Sequence, residues 1–486
     1  MNELGKAIQT TADDAKREYV YSVTGWKKID GQWQFLLPKL NSHKVELNDK
    51  LKNYGIEYAN YETSDISVAS AMLELEIAEP KFVYPLLSDV FISPLNEFLR
   101  NAQCEPKSVT ILIGKTGSKK SSLAALMMNF FGVFTATTLP LSFKDTQFSI
   151  VDNTYYVKDV LTVVDDFHPT TKTEAAKMTA TAQAIVRAYG DRVGRGRLKS
   201  DATPNQTRHP QGNAIITAEF MPDIGESGNA RTFIIEMLEN TINLDVLTIF
   251  QEEAQRGALQ KTMLAYLDWI KEKFLDNQKE FEKFLQAKFL ENRDSFRLKL
   301  SKQNKKCHDR IPEMISLKLL GFEFMLEFFE DKKLISLDRK NELMNNFTEI
   351  LIEMAIAQSE IFESETPTKK FIKKLVSLID AEVVSVPSKG YREQLPQNFI
   401  GFQDDTYFYL NRDMAHKAVK KLCEEQGESF TITATQLLKY LAQEQFIEVA
   451  SNGDKTKSLN MGNGRYNRFV FLKKSMIEKT MDENLN

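Results

Sequence analysis

The chain has 486 residues, of which 42% are hydrophobic and 27% are charged, and its formal net charge is −4. This balance is typical of a globular protein with two to four domains, and it excludes a polycationic chain. No apolar run approaches the ~18 residues that a membrane helix requires, and the N-terminus has no apolar signal core. The 3 cysteines lie far apart, so we expect a reducing, cytoplasmic environment with no disulfide framework, zinc site or membrane partner.

Composition shifts and spacing predict four regions along the chain. These are a small N-terminal α/β collar or recognition domain (1–95), an ATPase motor with a helical lid (96–335), a helical linker (336–365) and a C-terminal winged-helix domain (366–486). In the N-terminal region, strands are predicted at 19–24 and 32–37 around a turn at 25–31. We find no catalytic constellation in that region.

A phosphate-binding loop is predicted in the segment VTILIGKTGSKKSSL, residues 109–123. Apolar strand formers lead into a glycine-containing loop that ends in Lys120 and Ser121, and helix formers follow at once. The N–H groups of such a loop and the positive end of the helix converge on nucleotide phosphates. Lys120 is expected to reach the β- and γ-phosphates of ATP, and the Ser121 hydroxyl to ligate Mg²⁺.

The loop departs from the usual pattern at Lys119, which stands where a second glycine is expected. A left-handed backbone is costly for a residue with a side chain, so a basic surface turn is the alternative interpretation. The nucleotide-binding residues predicted for this loop are Gly114, Thr116, Gly117, Ser118, Lys119, Lys120, Ser121 and Ser122.

A second motif follows about forty residues later, at 160–167. Its apolar run is typical of a strand that is buried on both faces of a parallel sheet, and it ends in Asp165 and Asp166. Since ligands bind at the carboxyl ends of such strands, this is the Walker B arrangement. Asp165 is predicted to hold Mg²⁺ and Asp166 to polarise the attacking water. The alternative is an acidic pair that caps the turn before Pro169.

Three further positions are candidates for the ATPase reaction. A strand at 213–218 ends near Thr217 and Glu219, either of which could orient the attacking water as sensor 1. Arg231 follows that strand and could act as an arginine finger on the γ-phosphate of a neighbouring subunit, or simply form a surface salt bridge. Arg310, at the start of a predicted lid helix, is a candidate sensor 2 that contacts nucleotide.

A basic segment lies between a core helix predicted at 174–189 and the strand at 213–218. Its glycines and alternating cations suit a protruding hairpin that grips a nucleic-acid backbone in the pore of a ring; the alternative is an exposed flexible loop. The cations predicted to bind DNA here are Arg192, Arg195, Arg197 and Lys199.

The remaining sequence predicts a helical lid and a separate basic domain. Helical periodicity covers 247–274, 281–296, 311–330 and 339–359, and the stripe Phe281, Phe284, Leu285 and Phe289 is expected to pack the lid. Near the C-terminus, a helix at 433–444 precedes strands at 446–449 and 468–472, joined by a loop at 451–467. A helix followed by a β-hairpin wing is typical of a winged-helix DNA-binding domain; a protein-interaction domain is the alternative. The wing cations predicted to bind DNA are Lys455, Lys457, Arg465 and Arg468.

Together these segments resemble a known family. GKTGSKKSS, KDVLTVVDDFHP, AYGDRVGRGR and ITAEFMPDIGESGNAR are similar, in sequence and order, to motifs of the AAA+ replication initiator helicases of staphylococcal mobile elements. These are the pathogenicity-island Rep and cassette-chromosome Cch proteins, which are related to the MCM group. The resemblance spans about residues 80–329, and MCM-type loops also tolerate a non-glycine residue before the lysine.

The resemblance implies an α/β AAA+ P-loop core and a hexameric, ATP-driven, self-loading DNA helicase that recognises its own replication origin. It assigns ATP and Mg²⁺ as cofactors, DNA as partner and Arg231 as a finger in trans. Two rival functions stay open at this point. One is an AAA+ DNA-binding regulatory switch that unwinds nothing, and the other is a P-loop ATPase that acts on protein partners.

Overall fold

A computed structural model of the chain describes residues 18–40, 42–192, 208–237, 241–303, 307–364, 366–391, 394–426, 428, 430–460 and 466–482. The chain divides into two compact units. The first unit contains Met1–Thr170, Ala176–Pro222 and Ala230–Gln358, and the second contains Thr171–Ala175, Asp223–Asn229 and Ser359–Asn486. The predicted N-terminal region, motor and lid thus fall within one unit. No helix in the described ranges is both long and apolar enough to cross a bilayer.

The N-terminal part of the first unit is a hairpin with flanking strands and helices. Its elements are β1 (Val20–Tyr21), β2 (Gly25–Ile29), β3 (Gln32–Leu36), β4 (Lys44–Val45), α1 (Thr63–Ala71), α2 (Pro80–Ile92) and α3 (Asn96–Asn101). The predicted turn at 25–31 is wrong: Asp30 and Gly31, with φ of 49° and 82°, alone make the turn, and the strand begins at Gly25. Two positive φ values match the twist of a tight hairpin.

The core of the first unit is a five-stranded parallel sheet. Its strands are β5 (Val109–Ile113), β6 (Leu141–Ser142), β7 (Leu161–Phe167), β8 (Asn213–Ala218) and β9 (Thr232–Glu236), in the order β6-β7-β8-β5-β9. Nearly all of β5, β7 and β8 is buried, as apolar strands covered on both faces require. The helices that follow strands are α4 (Lys120–Met128), α5 (Gln147–Tyr156) and α6 (Lys172–Asp191). The predicted α/β P-loop core is confirmed.

Helices predominate in the rest of the first unit. Short α7 (Gly225–Asn229), which belongs to the second unit, precedes α8 (Leu244–Gln255), α9 (Ala258–Phe274), α10 (Gln278–Lys302), α11 (Arg310–Asp331) and α12 (Leu337–Ser364). The helix predicted at 247–274 is two helices, because Gly257 has φ +85° and a Cβ there would collide with the Tyr58 ring. In the stripe on α10, Phe281, Leu285 and Phe289 are buried whereas Phe284 is 38% exposed.

A buried charge joins the lid to the sheet. Lys318 of α11 is 4% exposed, and its Nζ donates to Thr110 Oγ1 of β5 at 2.7 Å and forms an ion pair with Asp89 of α2. Burial lowers the pKa of Lys318, while the charge of Asp89 opposes that shift. Because a buried ammonium requires such partners, these three elements pack in one fixed register.

The second unit has its own hydrophobic core. Its further elements are α13 (Pro367–Asp380), β10 (Gly401–Gln403), β11 (Tyr407–Leu410), α14 (Arg412–Glu425), α15 (Ala434–Gln443), β12 (Lys457–Asn460), β13 (Tyr466–Lys473) and α16 (Lys474–Asp482). The strands form an antiparallel sheet in the order β10-β11-β13-β12. The strand predicted at 446–449 is only a bridge from Ile447 to Leu472, and the segment predicted as a loop at 451–467 contains β12. The described order of α15 followed by the β12–β13 pair is compatible with the winged-helix prediction.

Candidate nucleotide site

The loop between β5 and α4 has the backbone of a phosphate cradle. Gly117 has φ +90° with open space around it, and a Cβ on Gly114 would lie 2.6 Å from Ser118 Oγ. Lys119 is left-handed, with φ 63° and ψ 18°, so it adopts the conformation that a glycine would take there without strain. Its side chain is exposed. The substitution is therefore accommodated by the loop conformation itself.

The ends of the strands bring the predicted catalytic residues together. Asp165 Oδ1, at the end of β7, accepts hydrogen bonds from Ser121 Oγ at 2.7 Å and from Thr217 Oγ1 at 2.6 Å. Thr217 lies on β8, which separates β7 from the P-loop strand β5. The Asp166 N–H in turn donates to Thr217 Oγ1 at 3.0 Å. Thr217, fully buried, thus connects both carboxylate positions.

Asp166 is held in an unusual conformation. Its φ is 70°, a region that non-glycine residues enter rarely and that often marks functional sites. Its carboxylate pairs with Lys144 Nζ at 2.9 Å, and this hydrogen bond and the negative charge raise the pKa of Lys144. Sequence reasoning missed Lys144, because β6 is only two residues long and leaves no periodic signal.

Glu219 forms a second group at the same edge. It accepts a hydrogen bond from Thr116 Oγ1 of the P-loop and contacts His168 Nδ1, the residue after β7. The hydrogen bond from Thr116 lowers the pKa of Glu219, and the nearby His168 and Lys120 act in the same direction. Of the two sensor 1 candidates, Thr217 contacts the Asp165–Asp166 pair directly, whereas Glu219 links the P-loop to His168.

The residues present fit a magnesium nucleotide. A serine hydroxyl and a carboxylate, here Ser121 and Asp165, are oxygen ligands of the kind Mg²⁺ takes together with water and substrate phosphates. The buried Oγ of Ser118 has no hydrogen-bond partner among the described residues. A phosphate oxygen would not satisfy an acceptor, but the Ser118 O–H can donate to one. Ser122 follows in the first turn of α4, beside Lys120 and Ser121.

Two predicted arginines lie at the other edge of the sheet. The carbonyl of Arg231 accepts from the Val109 N–H at 3.0 Å, at the beginning of β5, whereas the P-loop follows its end. Five residues of strand separate these points by about 15 Å. Arg310 approaches Gly190 O at 3.5 Å and Asp191 Oδ1 at 3.8 Å, near Arg231. The prediction that Arg310 contacts nucleotide is therefore corrected: it does not reach the P-loop of its own chain.

Arg192 is also corrected, from a DNA ligand to a structural residue. Only 8% of it is exposed, and its guanidinium donates to the carbonyls of Pro106 at 2.9 Å, Pro210 at 3.0 Å and Gly212 at 2.9 Å. A buried cation that donates to three carbonyls cannot also contact phosphates. The other predicted hairpin cations, Arg195, Arg197 and Lys199, lie outside the described residues, as does Arg465.

Replacing Arg192 by Ala is expected to lower the free energy of unfolding by about 3 kcal/mol, because three carbonyls lose their donor in a buried site. Urea denaturation measures this change. The matched control is Arg208→Ala, which removes an exposed arginine paired with Asp152 at 3.1 Å and should cost about 1 kcal/mol or less. Equal losses for the two variants would contradict the structural role of Arg192.

The described wing cations have acidic neighbours within the second unit. Lys457 pairs with Glu448 at 2.6 Å and Arg468 with Asp454 at 2.6 Å, and the charge of Lys455 helps to lower the pKa of Asp454 after the hydrogen bond from Arg468. A phosphate backbone would compete with these carboxylates for the cations. DNA binding by Lys455, Lys457 and Arg468 stays a prediction.

Comparison with known proteins places the fold beside that of a helicase. The chain matches SCCmec type IV Cch, described as an active helicase, with a TM-score of 0.64 over 98% of this chain and 84% of that chain, at 13% identity. It matches the A form apo structure of the NrS-1 C terminal region at 11% identity over 97% and 90% of the chains, and JCV helicase at 12% over 47% and 70%, with TM-scores of only 0.31 and 0.22. No family model and no curated protein matches. At these identities, the first likeness shows that this chain and SCCmec type IV Cch share a fold.

Proposed function

We propose that this protein is an ATP-driven DNA helicase that initiates replication: a self-loading hexameric ring that binds its origin and unwinds duplex DNA. The observation that carries the proposal is the Asp165 carboxylate, which accepts from Ser121 of the P-loop and Thr217 of the adjacent strand. This joins a phosphate loop, a metal-binding carboxylate and a water-orienting hydroxyl at one sheet edge. The fold shared with SCCmec type IV Cch, an active helicase, supports DNA as the object of the work.

Each residue of the site has a role in the proposed hydrolysis. Lys120 neutralises the β- and γ-phosphates, while Ser121 and Asp165 hold the Mg²⁺ that bridges them. Asp166 accepts a proton from the attacking water, and Thr217 fixes Asp166 through its backbone N–H. Mg²⁺, when bound, supplies electrostatic stabilisation of the charge that develops on the phosphate oxygens.

The placement of Arg231 supports a ring. At the edge opposite to the P-loop, its side chain cannot serve the nucleotide of its own chain, but a neighbouring copy can present its P-loop edge to it. A guanidinium donated in this way spreads the charge of the transition state. Hydrolysis then requires two copies, and nucleotide state is passed from subunit to subunit.

The second unit is proposed to recognise the origin. Removing the residues after 365 is expected to lower sequence-specific DNA affinity about 100-fold, because specific protein–DNA contacts exceed non-specific ones by at least that factor. The ATPase rate should change little. The measurement is selection from a library of random duplexes, in which the full chain should enrich one common sequence and the truncated chain none. Enrichment of the same sequence by both chains would contradict this assignment; full-length Lys120→Ala, which should still enrich it, is the control.

DNA stimulation of ATP hydrolysis separates the proposal from the protein-partner ATPase. A helicase should hydrolyse ATP several times faster when single-stranded DNA is added, because the strand binds the moving part of the ring. The effect should weaken as salt rises. An ATPase rate that is independent of DNA at low salt would contradict the proposal.

A further inference from the structure

The carboxylate of Asp191 lies between two arginine side chains at the edge opposite to the P-loop. Arg231 donates from both Nε and Nη2 to Asp191 Oδ1, at 3.0 and 2.7 Å. Arg310, the first residue of the lid helix α11, brings Nη2 to 3.8 Å from the same oxygen and Nη1 to 3.5 Å from the Gly190 carbonyl. One carboxylate oxygen at the end of α6 therefore collects both guanidinium groups.

Gly190 makes room for the stem of Arg231. A Cβ on Gly190 would lie 2.7 Å from Cγ of Arg231 and 2.8 Å from its Nε, distances at which close-packed atoms must shift. Glycine inside a helix is unfavourable relative to alanine by roughly 0.5–1 kcal/mol, and Gly190 lies within the 20-residue helix α6. The close approach of the arginine explains why a glycine is required at this position.

We propose that Gly190 and Asp191 form a seat that orients Arg231 toward the γ-phosphate held by a neighbouring copy of this chain. The proposal rests on the proposed function. Asp191 is a positioning residue: it acts through the guanidinium of Arg231 and contacts no nucleotide. The Arg231 side chain is only 14% exposed, so its orientation is fixed before a partner docks. Fixing it in advance removes an entropic cost from the assembly of the shared site.

The seat also connects the finger to the lid. Because Arg310 opens α11 and contacts the same two residues, a shift of the lid changes the carboxylate that orients Arg231. A lid displaced on one subunit would thereby alter the arginine that this subunit offers to its neighbour. A simple stabilising salt bridge predicts none of this, since partly exposed ion pairs contribute about 1 kcal/mol or less to folding.

Two variants test the seat in different ways. Asp191→Asn removes the charge, whereas Gly190→Ala keeps every charge and displaces only the stem of Arg231. Each is expected to lower kcat for DNA-stimulated ATP hydrolysis about tenfold, as losses of supporting hydrogen bonds do, with KM for ATP changed less than about twofold. The thermal midpoint of unfolding should not fall in Gly190→Ala. The control Asp294→Asn removes a comparable exposed contact to Arg293 at 3.0 Å and should retain full kcat.

A double-mutant cycle decides whether the effect passes through Arg231. In an Arg231→Ala background, neither Asp191→Asn nor Gly190→Ala should lower kcat further. If both seat variants keep the wild-type kcat while Arg231→Ala loses it, or if kcat falls equally in both backgrounds, the seat is overturned and the proposed function stands. If Arg231→Ala itself retains the wild-type rate, the shared site of the proposed function fails, and the seat fails with it.

Discussion

Arg231→Ala and Asp166→Asn should each abolish ATP hydrolysis alone and restore it when the two proteins are mixed. Asp166→Asn leaves an amide where a carboxylate accepts the proton of water, a loss of about a thousandfold in kcat. Arg231→Ala removes the charge that stabilises the transition state, a loss of about the same size or larger. Both variants should bind ATP normally, because neither residue holds the ground-state phosphates.

Complementation follows from the geometry of a shared site. In a mixed ring, an Arg231→Ala subunit supplies an intact Asp166, and an Asp166→Asn neighbour supplies an intact Arg231. At equal amounts, about one site in four contains both residues, as head-to-tail contacts in a ring require. The measurement is the steady-state ATPase rate across mixing ratios, with a maximum expected near equality.

The matched control for this mixture is a double variant. A chain that carries both Asp166→Asn and Arg231→Ala, mixed with Asp166→Asn alone, can form no complete site and should remain inactive. If no ratio of the two single variants restores hydrolysis, although each binds ATP, the shared site is wrong and the position of Arg231 at the far sheet edge has a purely structural meaning.

Lys120→Ala should raise the Kd for ATP about 100-fold, which corresponds to about 2.7 kcal/mol, and should abolish hydrolysis. Lys120 opens α4, and no other lysine stands at the position that reaches the β- and γ-phosphates. Fluorescence titration with a labelled ATP analogue measures the change. Retained affinity would remove the nucleotide from this loop.

Lys119 provides the control for Lys120. It is the neighbouring cation, but its left-handed backbone directs an exposed side chain away from the cradle. Lys119→Gly should keep ATP affinity and relieve backbone strain of about 1 kcal/mol. A loss of ATP binding equal to that of Lys120→Ala would show that general positive charge, and not the geometry of the loop, holds the phosphates.

The sequence predicts the site well where its signals are local. The apolar run of β5, the loop and the helix formers of α4 are consecutive, and the parallel-sheet rule then places Asp165 and Thr217 at the same edge. The conformation of Lys119 follows from the same reasoning, since the loop requires a left-handed residue there. These predictions needed only propensity, periodicity and topology.

Residues whose roles depend on distant contacts could not be assigned in this way. Arg192 stands in a run of arginines that look alike, and only the carbonyl of Pro106, 86 positions away, makes it a buried structural residue. Lys144 follows a two-residue strand with no pattern of its own. Gly257 gives no sign that it ends a helix until the ring of Tyr58 is packed against it. In each case tertiary packing overrides the local signal.

The central claim is that this chain converts ATP hydrolysis into the separation of DNA strands. Displacement of a labelled strand from a forked duplex tests it most directly, with wild type and Lys120→Ala compared at equal concentration. The account predicts displacement by the wild type with ATP, none with a non-hydrolysable analogue and none by Lys120→Ala. ATP hydrolysis stimulated by the forked DNA without any displacement would contradict the account and assign the protein to a DNA-binding switch.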